Sequence, residues 1–218
     1  MKISFEKVKN DPAIQTYIKA ADESLVALGY TEHSFAHVGK VLDNAARILE
    51  HLGYDEDTVE LAKIAGYMHD IGNLVNRSEH SQSGAVMAFR ILDKMGMNPM
   101  DIATVVTAIG NHDEGTGVPV NAVSAALILA DKSDVRRTRV RNIDTLAFDI
   151  HDRVNYSVTD SELELDGDII RLSLTIDTEI GSIIDYFEIF LSRMKMCTHA
   201  AKKLGLSFKL TINGQSFI

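Results

Sequence analysis

The chain has 218 residues, enough for one large domain or for one domain with a smaller appendage. Hydrophobic residues make up 45% and charged residues 24%, ordinary globular values that exclude disorder along the whole length. Lys and Arg total 22 against 31 Asp and Glu, so the net charge of −9 excludes the broad basic surface that extended nucleic acid needs, while a short basic stretch can still hold a small anion.

The first ten residues carry Lys2, Glu6, Lys7 and Lys9 and no apolar centre, unlike a secretory signal. No uncharged apolar run approaches the roughly 20 residues of a membrane span. The expectation is a cytoplasmic protein with no membrane partner. Asp11-Pro12 reads as an N-cap followed by a first-turn proline, opening a helix to about Leu28 that stops at Gly29. Apolar residues then recur at helical spacing over Ser34–Leu52, Asp57–His69 and about Ser81–Met95, with Gly53, Gly72 and Gly96 as stops. Asn98-Pro99 opens a further helix towards Gly110, and a last helical run covers Asn121–Val135 and is read as continuing towards Ile150.

The period changes after Asp152. Glu162–Leu165 and Ile170–Ile176 alternate around Asp166-Gly167-Asp168, a hairpin signal. A helix over about Ile180–Leu204 and a third strand over Ser207–Ile212 complete a β-β-α-β tail. The predicted architecture is mainly α: a helical bundle over residues 1–152 with a small α+β appendage over residues 153–218, packed on it because no flexible linker intervenes. The sheet edges need a solution, and pairing between subunits in a homodimer is one. Cys197, the single cysteine, excludes a disulfide framework and reads as a packing residue of the long helix.

Chemistry centres on His69-Asp70, at the end of an apolar helical run. A charged Asp there is costly to bury without a partner, and a metal ion is one such partner. The imidazole and the adjacent carboxylate can reach one ion, and the second carboxylate oxygen can bridge to another. Other polar residues extend apolar stripes in the same way. His37 leads into Val41, Ala45 and Ile48; His80 into Gly84, Met87 and Ile91. Ile102, Val105 and Ile109 lead to His112, and Val123 and Leu127 lead to Asp131. A lone histidine on such a face is more often a hydrogen-bonded core residue. Six of these residues aimed at one bundle interior are the usual way a helical bundle holds metal.

The ordered set His37, His69-Asp70 and Asp131 resembles the HD superfamily of metal-dependent phosphohydrolases. It does so through the segments His33–Val38, Met68–Gly72 and Ala130–Lys132, across roughly residues 30 to 140. His80-Ser81-Gln82-Ser83-Gly84-Ala85 and Ile109–Asp113 are similar to segments of its two-metal branch. The resemblance implies an HD-type helical bundle with Asp70 bridging two ions. His37, His69 and Asp131 would surround one ion, and His80 and His112 would hold the other. A bridging hydroxide would then attack a nucleotide or another small phosphate ester. The donor set suits Fe, Mn, Ni, Co or Zn.

Asn73 stands where many relatives carry lysine, and Val118 replaces the tyrosine of the cyclic-dinucleotide phosphodiesterases that Gly115–Pro119 is similar to, so that substrate is not assigned. The basic run Arg136, Arg137, Arg139 and Arg141 follows Asp131, and Arg suits phosphate oxygens. Arg137 first, then Lys132 and Arg136, are the expected substrate-binding residues, with Asp70, Lys132 and Arg137 the expected catalytic set. Two alternatives stay open: a di-iron oxygenase of the same superfamily, and a non-catalytic nucleotide-binding or regulatory module.

Overall fold

The computed structural model describes residues 3–141, 144 and 149–218. A short helix α1 (Phe5–Lys9), not expected from the sequence, precedes α2 (Pro12–Ala27), whose N-cap Asp11 accepts from the amides of Ala13 and Ile14. Helices α3 (Phe35–His51), α4 (Glu56–Met68), α5 (His80–Lys94) and α6 (Pro99–Gly110) follow within a few residues of the predicted bounds. Ser34, Asp55 and Asn98 cap α3, α4 and α6 by accepting first-turn amides, as short oxygen-bearing side chains do at helix starts.

Helix α7 (Ala122–Lys132) runs through the centre. Every residue from Val123 to Ala130 is buried, and α3, α4, α6 and the long helix near the C-terminus pack on it. The helix does not continue towards Ile150. Ser133 turns back to bond the carbonyl of Ala130, the backbone passes through a 3₁₀ turn at Arg137–Arg139, and the buried Arg139 donates to the carbonyls of Glu32 and Asp134. Positions 142–143 and 145–148 of that expected run lie outside the described residues. Helix α8 (Ile150–Ser157) follows, and the boundary expected at residue 152 falls inside it.

The C-terminal part is a four-stranded sheet in the order β1 (Val158–Asp166), β2 (Ile169–Ile176), β3 (Ser207–Ile212), β4 (Gln215–Ser216). β1 and β2 form the expected hairpin. Its tight loop places Gly167 at φ +55°, the conformation that primed turns demand at their first position. β2 and β3 are parallel, with Ile170, Leu172 and Leu174 beside Phe208, Leu210 and Ile212. Parallel neighbours need a crossover, supplied by α9 (Ile183–Lys203), which a Ser182–Asp185 capping box starts. The two-residue β4 adds to the predicted β-β-α-β order. The outer edge of β1 is met by its own chain: Arg47 donates to the carbonyl of Leu163, and Ser161 donates to that of Ser133. Helix α9 buries Tyr186, Phe190, Met194, Cys197 and Ala200, and it packs on α7, α8 and β3. Burial pushes the Cys197 thiol up to about 12, so it is a packing group rather than a nucleophile. No helix among the described residues is long and apolar enough to cross a membrane.

Candidate metal centre

Six side chains from five helices meet beside α7. His37 lies in the first turn of α3, and His69 caps the C-terminus of α4. Asp70 opens a 3₁₀ turn (Ile71–Leu74), in which Asn73 donates to both its main-chain oxygen and its Oδ1, at 3.0 Å each. His80 begins α5 directly after Glu79, a non-glycine residue at φ +56°. His112 stands just past α6, and Asp131 in the last turn of α7. The four histidines and Asp70 are buried.

The donor atoms form two groups joined by one carboxylate. Oδ2 of Asp70 is 3.1 Å from His69 Nε2 and 3.7 Å from His37 Nε2. Oδ1 of Asp131 lies 3.3 Å from His37 Nε2 and 3.7 Å from His69 Nε2, and the two histidine nitrogens are 3.3 Å apart. On the other side, Oδ1 of Asp70 is 3.3 Å from His80 Nε2 and 3.8 Å from His112 Nε2, themselves 3.2 Å apart.

The opposite ring nitrogens explain why these atoms need a cation. His69 Nδ1 donates to the carbonyl of Gly66 at 2.8 Å, His80 Nδ1 to that of Arg77 at 3.1 Å, and His112 Nδ1 to that of Ile109 at 2.7 Å. His37 Nδ1 donates to Asp134 Oδ2 at 2.8 Å. With the proton fixed at Nδ1, each neutral ring presents a lone pair at Nε2. Four such lone pairs and the carboxylates of Asp70 and Asp131 converge, an arrangement of acceptors that a cation resolves. Imidazole and carboxylate donors at these separations fit divalent transition ions, with Asp70 common to both groups.

The electrostatics agree. Burial pushes the Asp70 carboxyl up, but the imidazoles of His69, His112 and His80 around it outweigh this, holding the group well below the usual carboxylate range. Burial likewise opposes ionisation of Asp131, and Lys132, His37 and His69 overcome it. Burial lowers His69, while Asp70, Asp131 and the Gly66 carbonyl raise it above the ordinary histidine value. The cluster therefore attracts positive charge, and a metal ion competes with a proton for the same nitrogen.

Asp134 carries no local sequence signal that ties it to His37, 97 residues away. It is fully buried, 2.8 Å from Arg136 Nε and near Arg139. Burial raises its pKa, but the His37 hydrogen bond and the Arg139 charge hold it far below the usual range. It fixes the tautomer and orientation of His37. Asp134→Asn is expected to weaken binding of the ion on the His37 side by about 10- to 100-fold while sparing the His80 side. A metal titration of the chelator-stripped variant reads both; an unchanged first affinity would remove Asp134 from this role.

A cavity of about 470 Å³ opens from the donor cluster, lined among others by Tyr30, Arg77, Lys132, Arg139, Phe190 and Arg193. Lys132 is buried, with Nζ 2.6 Å from Asp131 Oδ2 and 3.5 Å from Glu114 Oε2. Arg193, from α9, pairs with the same Glu114, which brings the C-terminal part of the chain to the cavity wall. His33 also lines it, its Nδ1 2.7 Å from the Thr31 carbonyl; burial and the charge of Arg139 hold its pKa well below the ordinary value.

The structure does not bring Arg136 and Arg137 to the cavity. Arg136 is engaged by Asp134 and Glu32, and Arg137 donates to the Tyr156 carbonyl at 2.9 Å while lying over the Tyr156 ring. The reason is the end of α7 at Lys132: helical spacing from Asp131 no longer governs where those guanidinium groups point. Arg139, from the same basic run, lines the cavity instead. Arg77, Tyr30, Phe190 and Arg193 had no sequence signal, because they come together only through the packing of separate elements.

The HD domain family model matches residues 34–157, more than half of the chain. The protein belongs to the HD domain family, as the sequence resemblance implied. The chain is 26% identical over 205 residues to the uncharacterized protein MJ1020 of Methanocaldococcus jannaschii, covering 83% of this chain and 78% of that one. A solved structure of a predicted HD superfamily hydrolase from an uncultured Thermotogales bacterium is 25% identical, covers 57% of this chain and 67% of its own, and has a TM-score of 0.46.

Proposed function

We propose that the protein is a metal-dependent phosphohydrolase that cleaves a small phosphate ester, with nucleotides among the candidate substrates. Family membership supports the general class of metal-dependent HD-type hydrolase. The observation that carries the finer reading is the fixing of all four imidazoles through Nδ1, which turns their Nε2 atoms and both Asp70 oxygens on one small volume at the cavity end.

His37, His69, Asp131 and one Asp70 oxygen would hold one ion, and His80, His112 and the other Asp70 oxygen a second. Two ions so placed supply Lewis-acid activation of a phosphoryl group and of a water at neutral pH. The chain's own groups do the rest. Asp134 orients His37. Lys132 neutralises Asp131 and ties the loop bearing Asp113 and Glu114 to α7. Phe190 and Arg193 close the cavity from α9 and limit the access of bulk water, which strengthens electrostatic interactions inside.

The test is metal content per chain on protein purified without chelators, followed by phosphate release from a panel of mononucleotides and sugar phosphates. Two transition ions per chain and release from a panel member are expected. Oxygen uptake without phosphate release would replace this reading with the oxygenase. Nucleotide binding without turnover in metal-replete protein would replace it with the binding module.

A further inference from the structure

Arg139 is the buried guanidinium of the cavity wall, 5% exposed. Two of its three nitrogens are spent on the main chain. Nε donates to the carbonyl of Glu32 at 2.9 Å and Nη1 to that of Asp134 at 2.7 Å, which fixes the plane of the group. Nη2 has no hydrogen-bond partner among the described residues, and it is not sealed off from solvent. The residue borders the same cavity as Asp70, His80, His112 and Asp131. Its charge is only partly matched. Asp134 Oδ2 lies 4.0 Å from Arg139 Nε, and that carboxylate already serves His37 Nδ1 and Arg136 Nε at 2.8 Å each and Lys40 Nζ at 3.8 Å. Burial lowers the pKa of Arg139 below the ordinary value in spite of the attraction of Asp134, Asp131 and Asp70. A buried cation is costly without a full set of partners, so the open Nη2 calls for an anion from the cavity.

We infer that Arg139 binds the substrate through Nη2, taking a non-bridging phosphate oxygen, and that it thereby selects a phosphate monoester over a diester. A dianionic monoester has three non-bridging oxygens and a diester has two. Two oxygens suffice to meet the two halves of the donor cluster, so only the monoester has a charged oxygen left for Arg139. A diester would turn an uncharged alkoxy group towards the guanidinium and leave its N–H groups unpaired. A charge-assisted bond from a guanidinium to phosphate is among the stronger polar contacts. The arm is ordered before the substrate arrives, because Nε and Nη1 are already bonded, so little conformational freedom is lost on binding. Asp134 ties the arm to the centre: the carboxylate beside Arg139 is the one that orients the ligand His37. The inference narrows the substrate class of the phosphohydrolase proposed above and rests on that reading.

The experiment compares wild type, Arg139→Met and Arg139→Lys, each checked for folding by circular dichroism. Mn²⁺ is titrated calorimetrically into chelator-stripped protein. Methylphosphonate and its monomethyl ester are then titrated into the Mn²⁺-loaded form; neither is a phosphate ester that turnover would consume, and they differ by one charged oxygen. The wild type should bind the dianion more tightly than the ester. Arg139→Met should weaken the dianion by about 10- to 100-fold, as expected when a charge-assisted contact is lost, and leave the ester and the Mn²⁺ stoichiometry unchanged. Arg139→Lys keeps the charge and loses the fork, so it should fall between the two; it carries the same comparison if the methionine variant does not fold. A merely structural arginine would weaken both probes together. A wild type that takes two ions but binds both probes equally, or variants that keep the wild-type preference, overturns the role of Arg139 alone. If the wild type takes fewer than two ions, the two-ion reading falls and the inference falls with it.

Discussion

Replacing Asp70 by alanine is expected to empty both halves of the metal centre and to lower kcat/KM, on whichever phosphoester the panel identifies, by on the order of a thousandfold or more. Among the described residues, Asp70 is the one whose two oxygens face different histidine groups: Oδ2 lies 3.1 Å from His69 Nε2 and Oδ1 lies 3.3 Å from His80 Nε2. Losing it therefore takes a ligand from each ion. His112→Ala takes a ligand from one side only and should leave the His37, His69 and Asp131 side able to bind. The alanine variant also leaves four imidazoles facing one another without the carboxylate that draws a cation in. Plasma mass spectrometry for metal and initial rates for phosphate release read the outcome. An Asp70→Ala protein that still held two ions and turned over at the wild-type rate would exclude the bridging arrangement.

Much of this centre was legible in the sequence because helices carry simple spacing rules. His37, His80, His112 and Asp131 each continue a row of apolar residues three or four apart, and such a row faces the interior in a bundle. The capping residues Asp11 and Asn98, each followed by a first-turn proline, marked helix starts. The alternation around Gly167 marked the hairpin. What stayed hidden was non-local. The hydrogen bond from His37 to Asp134 spans 97 residues, and nothing in either neighbourhood announces it. The direction of Arg77 depends on a 3₁₀ turn followed by the left-handed Glu79, and neither has a strong residue signature. The expectation for Arg137 failed to reach the cavity because it extended helical geometry beyond Lys132, where Ser133 and the buried Arg139 turn the backbone away. Helix α1 and strand β4 are too short to show a period: α1 packs on the distant α4, and β4 pairs with the adjacent β3 across Asn213-Gly214.

Gly72→Ala is the second substitution with a large expected effect, and it acts through backbone contact rather than chemistry. Gly72 lies in the turn that follows Asp70, and the start of α5 passes directly against it. A Cβ at this position would overlap the carbonyl oxygen of His80 and come within 2.5 Å of the Gly84 amide nitrogen and 2.6 Å of Ser83 Oγ. Two of these are main-chain atoms that cannot rotate away, so the turn and α5 must separate. Overpacking of this kind costs about 3 kcal/mol, the upper part of the usual range. In a domain of this size that lowers Tm by about 6–12 °C. The displaced residue is His80 itself, so the variant should lose the ion on the His80 and His112 side first and retain the other. Gly84→Ala supplies a graded comparison: its Cβ would meet Gly72 N at 3.2 Å and His69 O at 3.3 Å, contacts a shift of a few tenths of an ångström relieves. A thermal melt with metal stoichiometry on both variants separates the cases. If Gly72→Ala melts with the wild type and keeps two ions, the turn relaxes freely, and the position of His80 does not depend on the close approach of α5 to the His69-Asp70 turn.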